Sequence, residues 1–137
     1  MVTSQKKKIL IIDDEQEICD LTKSILERTG RFEVAASTSP RLGIALAKAY
    51  KPDLVLLDML MSEMDGTEAA KILCEAPETK DAVIVFVTAI AVPMVFLAAL
   101  VENETLKQKA GQIGGHYFIQ KPIAAAELIA RIDEILK

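Results

Sequence analysis

Acidic, hydroxyl and ammonium side chains stand directly after apolar runs of the sequence. Asp13 and Asp14 follow the first run, Asp58 and Thr88 end the third and fourth, and Lys121 comes just after the fifth. If these runs are parallel strands of one sheet, their carboxyl ends meet at the same edge. The spacing therefore predicts one polar site assembled from distant parts of the chain.

Three carboxylates held close together favour the binding of a cation. Like charges at short range raise the pKa of some of the acids unless a cation joins them, and hard divalent ions prefer oxygen ligands. Mg²⁺ is the physiological ion of this kind, and we expect it as the cofactor. A carboxylate attacks phosphorus poorly while both partners are negative, so the cation has to neutralise charge and align the phosphoryl group. The predicted product is an aspartyl phosphate.

Lysine and threonine complete this chemistry. The ammonium group of Lys121 pairs with Asp58 before reaction or with a phosphoryl oxygen after it, while the Thr88 hydroxyl donates to another phosphoryl oxygen. Each element alone has a simpler explanation, since an Asp-Asp pair is commonly a turn or helix cap and a Lys-Pro pair often precedes a helix. Their order and strand-end placement together favour the site.

Short apolar runs alternate with helical stretches along the chain, which predicts an α/β fold. The predicted strands are Lys8–Ile12, Phe32–Ala36, Leu54–Leu57, Ala82–Val87 and Tyr117–Ile119. The predicted helices lie within Glu15–Thr29, from Ser39-Pro40 to Tyr50, from a Thr67 cap through Leu73, after Thr88, and within Ile123–Leu136. Right-handed connections between these units predict a flavodoxin-like, doubly wound five-stranded parallel sheet in the order 2-1-3-4-5.

Length and charge limit the function further. The 137 residues suit a single domain, residues 1–137, with a core from about residue 7. A formal net charge of -4 argues against direct nucleic-acid binding. Cys19 and Cys74 form no Cys-x-x-Cys motif, so neither a zinc site nor a disulfide framework is indicated. We expect a location in the reducing cytoplasm.

The segment Ala82–Val101 contains no charged residue and is long enough to cross a bilayer as a helix. However, β-branched residues dominate Val83–Thr88, and Pro93 marks a break. These features favour a buried strand followed by a buried helix, and we expect no membrane span. No cleavable signal is expected before the first strand.

Five short motifs lie at the predicted strand ends and in the turn downstream of the third strand. They are Ile-Ile-Asp13-Asp14-Glu15, Lys51-Pro-Asp-Leu-Val-Leu-Leu-Asp58-Met, Met64-Asp65-Gly66, Val87-Thr88-Ala89 and Gln120-Lys121-Pro122. In order and spacing they resemble the response-regulator receiver domain of two-component signalling, over nearly the whole chain.

The resemblance implies a phosphorelay role. Asp58 would accept a phosphoryl group from a histidine kinase or phosphotransfer protein, and the only catalysis would be self-phosphorylation and autodephosphorylation. Asp14, Asp58 and the Leu60 carbonyl would hold Mg²⁺, with Asp13 acting largely through water. No enzyme activity toward another substrate is expected.

The resemblance also implies a conformational switch. Thr88 would move inward on phosphorylation and let the aromatic ring of Phe118 rotate. This movement would change the surface of the fourth helix, fifth strand and fifth helix, where a downstream protein binds. The Lys121–Pro122 bond is expected to be cis, as in related domains, because proline lowers the cis penalty.

Two departures from the family pattern stand out. Ser62 replaces a frequent proline, which is expected to loosen its loop. The interval from Thr88 to Lys121 is longer than usual by about three helical turns, so an extended or altered fourth helix is expected. Ala91–Val101 is apolar around most of a helix, which predicts either a partner or homodimer surface or a segment that covers itself.

Further expectations concern individual positions and other functions. Apolar Leu60 and Ile90 are expected to exclude water and slow the loss of the phosphoryl group, and His116 is predicted to be a loop residue. A pseudo-receiver that signals without phosphate is the alternative function, although no key acid, threonine or lysine is lost. A flavodoxin-like cofactor binder or phosphatase is disfavoured, because there is no Gly- and Ser/Thr-rich phosphate loop after the first strand and no Asp-x-Asp pair.

Overall fold

The structure, a computed structural model, describes residues 6–89, 112–113 and 116–136. The strands are β1 (Lys7–Ile12), β2 (Phe32–Ser37), β3 (Leu54–Asp58), β4 (Val83–Thr88), β5 (Gln112–Ile113) and β6 (His116–Gln120). The helices are α1 (Gln16–Glu27), α2 (Pro40–Tyr50), α3 (Gly66–Glu75) and α4 (Ala125–Ile135). The strand β6 and the helix α4 are those that the sequence analysis predicted as fifth.

The strands form one sheet in the order β2-β1-β3-β4-β6-β5. The neighbours from β2 to β6 pair in parallel, which confirms the predicted five-stranded order 2-1-3-4-5. The strand β5 was not predicted; it has two residues and pairs antiparallel with β6. Apolar periodicity cannot reveal so short an element.

Residues of the central strands alternate between two cores. Ile9 and Ile11 lie in the core that α1 and α4 cover, whereas Leu10 and Ile12 lie in the core that α2 and α3 cover. All four side chains are at most 2% exposed. Successive strand side chains point to opposite faces, so a strand covered on both sides is apolar at every position. This burial explains the uninterrupted apolar run that precedes Asp13.

Short polar side chains cap the first turns of α2 and α3. The Ser39 Oγ accepts a hydrogen bond from the backbone N–H of Leu42 at 3.2 Å, which confirms the predicted N-cap of α2. The predicted Thr67 cap of α3 is wrong. Asp65 caps this helix, because its carboxylate accepts from the N–H groups of Thr67 at 2.8 Å and Glu68 at 3.2 Å.

Gly66 allows α3 to begin directly against the end of β3. Its N–H donates to the Met59 carbonyl at 2.8 Å. A Cβ atom at this position would clash with the Asp58 carbonyl oxygen and lie 2.7 Å from the Met59 Cα. Glycine is therefore required here by the close approach of two backbone segments.

Several sequence predictions fall outside the described residues. They are the fourth helix, the apolar surface of Ala91–Val101 and the role of Ile90. None of the described helices is long and apolar enough to span a bilayer. His116 was wrongly predicted as a loop residue, since its backbone pairs with that of Ile113 and begins β6.

We expect Gly66→Ala to lower the free energy of unfolding by about 1–3 kcal/mol, the usual cost of overpacking, because the added methyl group meets backbone atoms that cannot move aside. Urea denaturation followed by circular dichroism measures this change. The matched control is Glu68→Ala in the same helical turn, where the side chain is exposed and the expected change is within about 0.5 kcal/mol. Equal losses in the two variants would contradict the steric explanation.

Candidate functional site

The carboxyl ends of β1 and β3 bring three aspartates together. Asp13 and Asp58 are 2% and 5% exposed, while Asp14 is exposed to solvent. Ligand oxygens of the three side chains lie within 4.8 Å of one another. The structure thus assembles the acidic cluster at the edge of the sheet where the strand-end argument placed it.

Backbone N–H groups hold two of these carboxylates in place. The N–H of Glu15 donates to Asp13 Oδ1 at 2.9 Å, and the N–H of Ser62 donates to Asp14 Oδ2 at 3.3 Å. The second bond changes the interpretation of Ser62. A proline has no N–H to donate, so serine at this position ties the loop to the acidic cluster.

Lys121 supplies a cation to this acidic cluster. Its Nζ lies 2.9 Å from Asp13 Oδ2, 3.5 Å from Asp58 Oδ1 and 3.5 Å from Glu15 Oε1. The side chains of Lys121 and Asp13 are 10% and 3% exposed, whereas that of Glu15 is 65% exposed. Sequence reasoning missed Glu15 as a partner of the lysine, and its place beside the Asp-Asp pair was the available signal.

Burial and charge both perturb the pKa values of the site. Desolvation and the negative charge of Asp13 raise the pKa of Asp58 to about 6, against the opposing effects of Lys121 and the Leu60 N–H. For Lys121, burial lowers the pKa, but the hydrogen bond to Asp13 and the surrounding carboxylates outweigh burial and raise it. The site holds more negative than positive charge.

The donor set fits a hard divalent cation. Three carboxylates within 4.8 Å offer only oxygen ligands, and the repulsion that raises the pKa of Asp58 decreases when a cation is shared. The Lys121 ammonium group neutralises part of the negative charge of these carboxylates. An ion such as Mg²⁺ is therefore compatible with Asp13, Asp14 and Asp58.

The backbone connects Lys121 to Thr88 across the same edge. The Lys121 N–H donates to the Thr88 carbonyl at 2.7 Å, and the Lys121–Pro122 bond is cis, as expected. Thr88 is 5% exposed at the end of β4. The hydroxyl-bearing and ammonium-bearing residues are thus held in register by a direct hydrogen bond.

Phe118 lies opposite Phe86 in the pairing of β6 with β4. Their rings stack with centroids 5.2 Å apart and planes 23° from parallel. Phe86 is 1% exposed, whereas Phe118 is half-buried. Sequence reasoning named Phe118 but missed its partner, because the apolar run of β4 gives no sign of which residue stacks on it.

The model of the response regulator receiver domain family matches residues 9–133. The chain is 34% identical over 133 residues to the transcriptional regulatory protein YvrH of Bacillus subtilis (strain 168), covering 97% of this chain and 50% of that protein. It is 33% identical over 130 residues to the nisin biosynthesis regulatory protein NisR of Lactococcus lactis subsp. lactis, covering 95% and 50%. The chain therefore spans about half the length of these curated relatives.

Solved structures that resemble this chain include receiver domains. The response regulator receiver domain protein (CheY-like) from Methanospirillum hungatei JF-1 is 29% identical, with a TM-score of 0.74 and coverage of 96% of this chain and 94% of that one. The chemotaxis protein CheY4 of Vibrio cholerae has a TM-score of 0.77 over 95% and 98%, and its 22% identity shows the shared fold alone. Sequence and structure together establish that this chain belongs to the response regulator receiver domain family of two-component signalling.

Proposed function

We propose that Asp58 accepts a phosphoryl group from a histidine kinase or phosphotransfer protein and that this modification switches the domain between two signalling states. The observation that carries the proposal is the environment of Asp58. Its carboxylate is 5% exposed, stands within 3.5 Å of the Lys121 ammonium, and shares an oxygen cluster with two other aspartates. This is an environment that activates a carboxylate toward a phosphoryl group once a cation is present.

In this proposal Asp14, Asp58 and the Leu60 carbonyl hold Mg²⁺, and Asp13 contributes largely through water. The bound ion supplies charge neutralisation and alignment for the incoming phosphoryl group. An Asp58 carboxylate oxygen forms the new bond to phosphorus while the bond from phosphorus to the donor breaks. Lys121 is already beside Asp58, so its ammonium needs only a small shift to pair with a phosphoryl oxygen.

The switch uses Thr88 and Phe118. The Thr88 hydroxyl donates to a phosphoryl oxygen, and the resulting movement lets the Phe118 ring change its packing against Phe86. Arg131 of α4 donates to the Phe118 carbonyl at 3.4 Å, so a change at β6 is passed to that helix. We propose that a downstream protein, or a second copy of the chain, recognises the face formed by the predicted fourth helix, β6 and α4.

The family and the net charge of -4 support a signalling role that does not involve nucleic-acid binding. The domain acts as a signalling module in the cytoplasm, through protein contacts and without direct nucleic-acid binding. A pseudo-receiver that signals without phosphate is the second candidate. It is disfavoured because the acids, the threonine and the lysine are all present and the lysine contacts the acids. Membership of the family argues against the flavodoxin-like cofactor binder and the phosphatase.

Incubation with acetyl phosphate and Mg²⁺ is expected to add one phosphoryl group to the wild-type protein, measured by intact mass after rapid quenching. Asp58→Ala and an EDTA-treated sample are expected to show no adduct, because the nucleophile or the cation is missing. The matched control is Asp53→Asn at the opposite end of β3, where the carboxylate accepts a bond from the Lys8 N–H. Folded wild-type protein without an adduct would favour the pseudo-receiver.

Mg²⁺ is expected to raise the melting temperature of the wild-type protein, because an ion that binds only the folded state stabilises it. Asp58→Asn is expected to melt higher than wild type in EDTA, since it removes a buried negative charge beside Asp13, and to respond less to Mg²⁺. Differential scanning calorimetry with and without Mg²⁺ tests both effects. An equal Mg²⁺ response in wild type and variant would exclude Asp58 as a ligand.

Leu60→Asn is expected to shorten the lifetime of the phosphoryl group severalfold, because a polar side chain two residues after Asp58 admits water. The adduct decay is followed by mass spectrometry after acetyl phosphate is removed. Leu42→Asn is the control, since Leu42 lies on α2 and is also an exposed leucine, at 69% against 57% for Leu60. Equal decay rates in the two variants would show that Leu60 does not restrict water.

A further inference from the structure

Thr22 is a buried polar residue with no hydrogen-bond partner for its side chain. It lies on the inner face of α1 and is 2% exposed. Among residues 6–89 and 117–136, whose side chains the structure describes, its hydroxyl is the one fully buried side-chain polar atom that makes no hydrogen bond to protein. A hydroxyl in that position destabilises the fold unless something else satisfies it.

A small cavity beside Thr22 reaches the phosphoacceptor. It has a volume of about 10 Å³ and is lined by Thr22, Asp13 and Asp58, together with apolar side chains that include Leu56 and Val87. This volume is near the least that holds one water molecule, and a buried water needs two to four polar partners. Thr22, Asp13 and Asp58 are three lining residues with polar side chains, which is the number of partners that such a water needs.

We propose that Thr22 binds one internal water molecule in this cavity and that the water donates hydrogen bonds to the carboxylates of Asp13 and Asp58. The Thr22 hydroxyl donates to the water oxygen, which leaves both water protons for the two acids. Thr22 is then a positioning residue, acting through the water on the phosphoacceptor Asp58 and on Asp13 beside it. This role rests on the proposed function of Asp58.

The arrangement meets a need that Lys121 alone does not meet. The Lys121 Nζ is shared among three carboxylates. It lies 2.9 Å from Asp13 and 3.5 Å from both Glu15 and Asp58. Carboxylate oxygens accept more than one hydrogen bond each, so Asp13 and Asp58 have capacity for further donors. A water bound by Thr22 on α1 supplies these hydrogen-bond donors. It adds no positive charge that would compete with the metal ion.

The test compares Thr22→Val, Thr22→Ser and Thr79→Val with wild type. Valine keeps the shape and branching of threonine and removes the hydroxyl, whereas serine keeps the hydroxyl. Thr79 is the matched control because it is also 2% exposed, but its hydroxyl donates to the Leu73 carbonyl at 2.6 Å, away from the acidic cluster. Crystal structures, melting temperatures and Mg²⁺ affinity by calorimetric titration are measured for each.

The wild-type crystal is expected to show an ordered water within about 3 Å of the Thr22 Oγ1 and of an Asp13 or Asp58 carboxylate oxygen. Thr22→Val should lose this water, melt lower, and bind Mg²⁺ about tenfold more weakly, as happens when an outer partner of metal ligands is removed. Thr22→Ser should restore the affinity. Thr79→Val should melt lower with no change in Mg²⁺ affinity.

A wild-type cavity without water would overturn the proposal, as would a Thr22→Val protein that melts at or above the wild-type temperature. The second result would mean that the hydroxyl is unsatisfied and that its removal relieves the fold. Unchanged Mg²⁺ affinity in Thr22→Val would overturn the positioning role. None of these measurements needs phosphorylation, so they stay informative if Asp58 proves not to be phosphorylated.

Discussion

The ammonium group of Lys121 stands among carboxylates that the fold crowds together and partly buries. Without it, the chain would place Asp13 and Asp58 in a low-dielectric region with their mutual repulsion unopposed. The lysine offsets part of this charge, and the remainder is the charge that the proposed Mg²⁺ ion would share. The repulsion among these carboxylates, which makes them costly to bury, is therefore also what would favour a shared cation.

The two-core sheet makes this crowding possible. The strands β1 and β3 are neighbours, buried on both faces by helices, and end in acid at the same edge. Because the carboxylates stand at the ends of buried strands, they are less free to move apart than they would be on loops. The loop after β3 is also constrained, at Ser62 by the bond to Asp14 and at Gly66 by its contact with the strand end. The acids consequently have little freedom to relax away from one another.

Sequence reasoning was most successful where a strong local pattern coincides with a strand end. The runs before Asp13 and Asp58 are apolar at every position because both faces are covered, so strand order and the location of the site followed from them. It failed where the outcome depends on three-dimensional proximity. The cap at Asp65, the stacking of Phe86 on Phe118 and the contact of Glu15 with Lys121 involve geometry that no periodicity encodes. The same is true of Thr22, which looks like an ordinary helix residue in the sequence, although its hydroxyl is buried without a partner and the residue lines a cavity with Asp13 and Asp58.

The acidic cluster and its lysine come from distant parts of the chain, since Asp13 and Lys121 are in direct contact and Asp58 lies between them in the sequence. Such a site does not exist in any single fragment, because its parts meet only after all the central strands have paired. Asp58 in an unfolded copy has neither Lys121 nor the Asp13-Asp14 pair beside it. Under the proposed function, a copy in which these strands have not paired would lack the site at which Asp58 accepts a phosphoryl group.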